Sequence, residues 1–136
     1  MKQFNSGRRC HRRRSGAAVV EFAVCLPVII LIVLGSIEGA SMLFLRQTLV
    51  QASYEGGKVA IRSGDQSAME NAINSVADGR RIKNLEITTK PKNISNTNPG
   101  DLIIITVSAP GDTNSLIPFG PFKNQRVTAQ ATMVRE

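Results

Sequence analysis

The feature that most constrains this chain is an apolar segment at residues 17–45, which contains 29 residues and no lysine or arginine. Within it, residues 22–37 carry no charged side chain at all. A helix of this length rises about 44 Å at ~1.5 Å per residue, whereas the hydrocarbon core of a bilayer is about 30 Å thick. The segment is therefore predicted to be a membrane-spanning helix.

A secretory signal peptide is the alternative interpretation of the same segment. Signal peptides have an apolar region of about 7–15 residues, followed by a small-residue cleavage site. Gly35 and Ser36, or the later Gly39, Ala40 and Ser41, could imitate such a site. The apolar segment is much longer than that of a signal peptide, which favours the membrane anchor.

The positive charge of the chain is concentrated just before the apolar segment. The chain has 17 Lys+Arg and 10 Asp+Glu, which give a formal net charge of +7. Residues 1–16 contain six of the basic side chains and no acid, so the other 120 residues have a net charge of only +1. Basic residues beside a span stay in the cytoplasm, so the N-terminus is predicted to be cytoplasmic and residues 46–136 to be exported.

Composition and spacing argue against an enzyme, a metal site and a nucleic-acid binder. Cys10 and Cys25 both precede the exported region, so no disulfide framework can form there, and His11 stands among arginines. No glycine-rich phosphate loop or catalytic spacing is present. Nucleic acid is not an expected partner, because no aromatic residues interrupt the arginines and they adjoin the span. We expect no enzymatic activity and no cofactor.

The most specific chemistry lies where the basic leader meets the apolar segment. Gly16 closes the leader, four small or apolar residues follow, and then come Glu21 and Phe22. A charged side chain in a membrane helix costs on the order of 2.5–3.5 kcal/mol at the bilayer centre, so Glu21 requires an explanation. One explanation is that Glu21 lies near the headgroups and is partly solvated.

Cleavage of the chain after Gly16 provides a second explanation for Glu21. It creates an α-amine at Ala17, four residues before Glu21 and on the same face of the helix. An α-amine with a pKa of about 7.7–8.0 is largely protonated at neutral pH and can pair with a carboxylate. In a packed bundle the amine could come from a neighbouring subunit, and the pair would then set the axial stagger between helices.

These residues resemble the processing site of type IV prepilins, specifically the tight-adherence (Tad/Flp) branch. The wider sequence is similar to the TadE-like family of minor pseudopilins, in residues 16–23, Leu26, Pro27, residues 35–39, Arg46, Gln47, Ala52, Glu55, Gly56 and residues 127–133. The resemblance implies cleavage by a prepilin peptidase between Gly16 and Ala17, with Glu21 and Phe22 acting in assembly. It also implies residence in the bacterial inner membrane as a single-pass protein with a periplasmic C-terminal region. The implied partners are other pilus or pseudopilin subunits, the inner-membrane assembly platform and the lipid bilayer.

One departure from the family pattern bears on the type of subunit. The major Flp pilins usually have tyrosine after the glutamate, whereas this chain has Phe22. Together with the long exported region, this difference favours a minor pseudopilin over the main fibre subunit. An uncleaved signal-anchored protein whose exported part binds an envelope partner is the alternative.

Three residues within the span are candidates for helix packing. Pro27 lacks an N–H and crowds the carbonyl of Ala23, which predicts a kink or a neighbour that satisfies that oxygen. The kink is either a flexible point for entry into a filament or an ordinary proline kink. Gly35 and Gly39 form a Gly-x-x-x-Gly pair, a pattern that allows helix backbones to approach closely.

The rest of the chain predicts an α+β fold of the pilin type. Apolar residues spaced three and four apart predict that the first helix continues as far as Ser63 and Gly64. Asp65 or Ser67 can then cap a second helix, which is predicted to end near Gly79. Alternating patterns from Leu85 onward then predict about three antiparallel strands, with a turn at residues 98–101 and a last strand from about Arg126 to Val134. Between the last two strands, a loop containing Phe119 and Phe122 is predicted either to fill the core or to form an interaction surface.

Overall fold

The structure is a computed structural model that describes residues 14–116 and 124–136. The residues up to 13, with Cys10 and His11, lie outside the described residues, as do Phe119 and Phe122. The chain divides into two units, Met1–Gly35 and Ser36–Glu136.

The first helix, α1 (Arg14–Ser63), contains the whole predicted span. Every described side chain from residue 16 to residue 37 is exposed. Its apolar window has a mean hydropathy of 2.9, and none of that window is buried within the chain. Within the described residues, α1 alone is long and apolar enough to cross a membrane.

The end of α1 and the start of α2 (Gln66–Gly79) form a tight helix–helix junction. Gly64 has a φ of +63°, and its N–H donates to the carbonyl of Ala60 at 3.0 Å. The Asp65 carboxylate then accepts the backbone N–H of Ser67 at 2.9 Å, as an N-cap. Hydrogen bonds from the Ser67 side chain and backbone hold the pKa of Asp65 below its usual value of 3.8. The predicted helix end and cap are both confirmed.

Three antiparallel strands follow, β1 (Glu86–Lys90), β2 (Leu102–Pro110) and β3 (Arg126–Val134), in the order β1-β2-β3. Ile87 lies opposite Val107 in the first pair of strands, and Val107 lies opposite Ala129 in the second. The predicted turn before β2 is present, since the N–H of Asp101 donates to the carbonyl of Asn98 at 3.0 Å. A short helix, α3 (Gly111–Asn114), follows β2.

One hydrophobic core joins the C-terminal half of α1, α2 and one face of the sheet. Burial alternates along β2, so that Ile103, Ile105, Val107 and Ala109 face inward. They pack in one cluster with residues of the two long helices and of the turn before β2, namely Leu45, Leu49, Ala52, Ala60, Met69, Ile73 and Ile94. The predicted α+β fold, with a long first helix, a second helix and a three-stranded antiparallel sheet, is confirmed.

Two adjacent glycines in α1 lie against different neighbours in this core. A Cβ added at Gly56 would lie 2.6 Å from Cδ1 of Ile73, which is fully buried in α2. A Cβ added at Gly57 would lie 2.6 Å from Sδ of Met133 in β3. These glycines therefore mark the positions where α1 approaches α2 and the sheet most closely.

Candidate functional site

The predicted processing junction lies in the first turn of α1. Gly16 is its third residue and Ala17 its fourth, and both are exposed. The first four N–H groups of a helix have no carbonyl partner within the helix, and glycine weakens a helix by about 1 kcal/mol relative to alanine. Opening this turn to expose the bond between Gly16 and Ala17 therefore breaks few hydrogen bonds.

Glu21 stands one helical turn after Ala17 on the same face of α1. Its side chain is exposed and forms no ion pair with any residue that the structure describes. Phe22 beside it is 62% exposed and forms part of an apolar surface that surrounds this part of the helix. The carboxylate is therefore a free hydrogen-bond and ion-pair acceptor within an otherwise apolar surface.

The three predicted packing residues, Pro27, Gly35 and Gly39, all lie within α1. Pro27 lies inside α1, where its missing N–H leaves the carbonyl of Ala23 without the usual helical donor. A Cβ added at Gly35 would meet no atom within 4 Å, and the same is true at Gly39. The predicted role of these glycines in helix packing stays a prediction.

A buried carboxylate in α1 was missed by the sequence analysis. Glu38 is only 4% exposed and stands at the head of the buried face that continues through Leu45 and Leu49. The sequence contained one signal of this burial: Glu38 is seven residues before the apolar Leu45, and positions seven apart lie on one helix face. Among the described residues, Glu38 forms no ion pair. Among the described residues no buried side-chain nitrogen or oxygen lacks a hydrogen-bond partner, so nothing here marks Glu38 as a contact for another subunit.

The described residues contain no cluster of three or more His, Cys, Asp or Glu that could hold a metal ion. Cys25 is exposed on the apolar part of α1. The two ion pairs given by the described side chains, Glu55 with Lys58 and Glu86 with Arg126, lie on the surface. None of these groups forms a catalytic arrangement with the residues of the processing junction.

The comparison with protein families supports the predicted resemblance. The family model described as TadE-like protein matches residues 16–58, about a third of the chain. The matched segment begins at Gly16, the residue before the predicted cleavage, and it includes Glu21, Phe22, Pro27, Gly35 and Gly39. The resemblance to the TadE-like family is therefore confirmed for this segment, which links it to the Tad pilus system.

Neither the comparison with curated proteins nor the comparison with solved structures gave a match. The family assignment thus rests on the segment from residue 16 to residue 58. TadE-like pilus-associated proteins are generally non-enzymatic, and the long apolar helix fits a membrane-anchored member of a pilus system.

Proposed function

We propose that this chain is a minor pseudopilin of a Tad/Flp-type pilus or a related secretion machine. The observation that carries the proposal is the position of the TadE-like match, which starts at Gly16 and covers the whole apolar span. In this proposal a prepilin peptidase removes residues 1–16, and residues 17–45 anchor the protein in the bacterial inner membrane. The exported residues 46–136 lie in the periplasm.

Processing changes the charge at one end of the membrane helix. Before cleavage, position 17 is an ordinary peptide nitrogen and carries no charge one helical turn before Glu21. After cleavage, the protonated amine of Ala17 can pair with Glu21 of the same chain or of a neighbouring subunit. Because the surrounding surface of α1 is apolar and exposed, an intersubunit pair would form in a low dielectric and fix the relative height of two helices.

The partners of this function are the prepilin peptidase, other pilus subunits, the assembly platform of the inner membrane and the bilayer itself. Gly35 and Gly39 offer small surfaces on which another helix can pack. The chain is thus a substrate of the peptidase and afterwards a part of the assembly.

An uncleaved signal-anchored membrane protein is the second candidate function. It is favoured by one observation, namely that α1 begins at Arg14 and so passes through the junction without a break. In this candidate the leader stays attached, and the exported unit binds an envelope partner while the span serves only as an anchor.

Replacing Gly16 by leucine distinguishes the two candidates. A bulky side chain before the scissile bond is expected to block cleavage, so the variant should remain 16 residues longer than the wild-type protein. In cells lacking the native gene, wild type should restore surface filaments and the Gly16→Leu variant should not. Immunoblot size and filament counts by electron microscopy measure the two effects. A variant of unchanged size that still restores filaments would support the signal anchor and contradict processing.

A further inference from the structure

An apolar groove lies beside the part of α1 that follows Gly35. Its volume is about 570 Å³, and α1 contributes Ile37, Ala40 and Phe44 to one wall. The opposite wall comes from the α2–β1 connection, with Arg80 and Arg81, and from Leu116 after α3. Apart from the two arginines, the side chains named here are apolar.

Hydrogen bonds hold the outer wall of the groove in place. The side-chain amide of Asn114 donates to the carbonyl of Lys83 at 3.0 Å, and its oxygen accepts the N–H of Lys83 at 2.8 Å. The same amide donates to the carbonyl of Pro110 at 2.9 Å. Because these bonds tie α3 to the α2–β1 connection, the groove is preformed.

The two arginines carry positive charge that the described residues do not neutralise. Neither arginine forms an ion pair with a described carboxylate. The closest acids in sequence are Asp78 and Glu86, and the Glu86 carboxylate already pairs with Arg126. The Arg80 guanidinium lies over the Phe44 ring, with Cζ 5.1 Å from the ring centroid. Arginine and an aromatic ring together suit the binding of a phosphate group near an apolar surface.

The polarity of the groove changes along α1 in the direction expected for a membrane. A bilayer including its headgroups is about 40–45 Å thick, which is close to the ~44 Å covered by residues 17–45. In an inserted helix, Ile37 then lies toward the outer acyl chains and Phe44 lies among the outer headgroups. The apolar end of the groove is therefore at the acyl side, and Arg80 is at the headgroup side.

We propose that this groove binds one anionic glycerophospholipid of the outer leaflet of the membrane. The phosphate lies against Arg80 and Arg81, and one acyl chain lies along Ile37, Ala40 and Leu116. The bound lipid fastens the exported unit to the bilayer surface next to the span. This inference rests on the membrane insertion of α1 in the proposed function, but it requires neither cleavage nor pilus assembly.

Lipid titration of the purified full-length chain in neutral detergent, monitored by native mass spectrometry, tests the proposal. Phosphatidylglycerol is expected to bind about thirtyfold more tightly than phosphatidylcholine, since each of the two arginines contributes about 1 kcal/mol toward an anionic lipid surface. The double variant Arg80→Gln with Arg81→Gln should lose this preference. Substitution of both arginines by lysine, which keeps the charge, should retain the preference.

Matched variants separate a specific site from general attraction to anions. Removing two exposed cations outside the groove, by Arg62→Gln with Lys90→Gln, should leave phosphatidylglycerol binding unchanged. Replacing Leu116, which is 77% exposed, by serine should weaken binding several-fold without disturbing the core. Equal losses in the groove variant and the Arg62/Lys90 variant would overturn the proposal, and so would an unchanged affinity after Leu116→Ser.

Inorganic phosphate distinguishes a lipid site from a site for the free anion. Phosphate at millimolar concentration should not displace phosphatidylglycerol, because it cannot occupy the apolar wall. Displacement would show that the arginines bind free phosphate and would overturn the lipid assignment. Filament assembly and leader removal are scored separately in cells, so a failure of the proposed function is distinguishable from a failure of the lipid site.

Discussion

Replacing Glu21 by alanine is expected to abolish filament assembly while leaving the chain in the membrane. The carboxylate is the one charged group in the first part of the span, and its removal makes insertion more favourable because charged side chains in a membrane are costly. What the variant loses is the acceptor for the amine of Ala17. Filament counts in complemented cells measure assembly, and membrane fractionation with carbonate washing measures insertion.

The matched control for Glu21 is another acid on the same helix. Glu55 is half-exposed and pairs with Lys58 at 2.8 Å on the surface, an arrangement that contributes little to stability. Glu55→Ala should assemble normally. If Glu21→Ala supports as many filaments as Glu55→Ala, the pairing of Glu21 with the new terminus plays no part in assembly.

Alanine substitutions at Gly56 and Gly57 are expected to change stability in opposite directions. At Gly56 the new methyl group would overlap Ile73, and neither Ile73 nor the neighbouring Met69 is exposed, so the crowding cannot be relieved toward solvent. Overpacking costs about 1–3 kcal/mol, which exceeds the gain of about 1 kcal/mol from better helix propensity. The Gly56→Ala variant should therefore be less stable than wild type by up to about 2 kcal/mol.

Gly57→Ala is the matched comparison, because the same methyl group is added one residue later. Here the neighbour is the thioether of Met133, which is partly exposed and flexible enough to move aside. The helix propensity gain then dominates, and stability should stay level or rise by up to about 1 kcal/mol. Urea unfolding of the full chain in detergent, monitored by circular dichroism, measures the stability of both variants. Equal effects of the two substitutions would contradict the close contact between α1 and α2.

Much of the fold could be predicted because it depends on local patterns. The last strand was predicted from about Arg126 to Val134, and β3 has those bounds. The helix end at Ser63, the Asp65 cap and the inward face of α2 follow from three- and four-residue spacing and from capping chemistry. These features are set by residues that are close in sequence, so one sequence is enough to locate them.

The features that escaped prediction depend on contacts between distant parts of the chain. From the sequence alone, Gly56 and Gly57 only weaken a helix. Their role in packing is set by their neighbours Ile73 and Met133, which are distant in sequence. The burial of Ile94 in a short turn and of Glu38 in α1 depends likewise on what packs against them. The groove joins α1 with Arg80 and Leu116, and no periodicity in the sequence brings these residues together.

The same distinction between local patterns and contacts with other parts applies to the residues of the candidate site. Gly16, Ala17, Glu21 and Phe22 could be selected from sequence because their significance lies in their order along one helix. The structure places them on the exposed first turns of α1, and the family match covers all four. Cleavage and subunit pairing involve other proteins, so the predicted roles of these residues stay predictions.

Intact-mass analysis of the protein isolated from membranes tests the central claim most directly. The chain should be isolated from cells with an active prepilin peptidase and from cells without one. Processing predicts a mature protein that begins at Ala17 in the first case and retains the leader, with Gly16 in place, in the second. A protein that keeps residues 1–16 in cells with active peptidase would contradict processing, and with it the pairing of Glu21 with a new N-terminus.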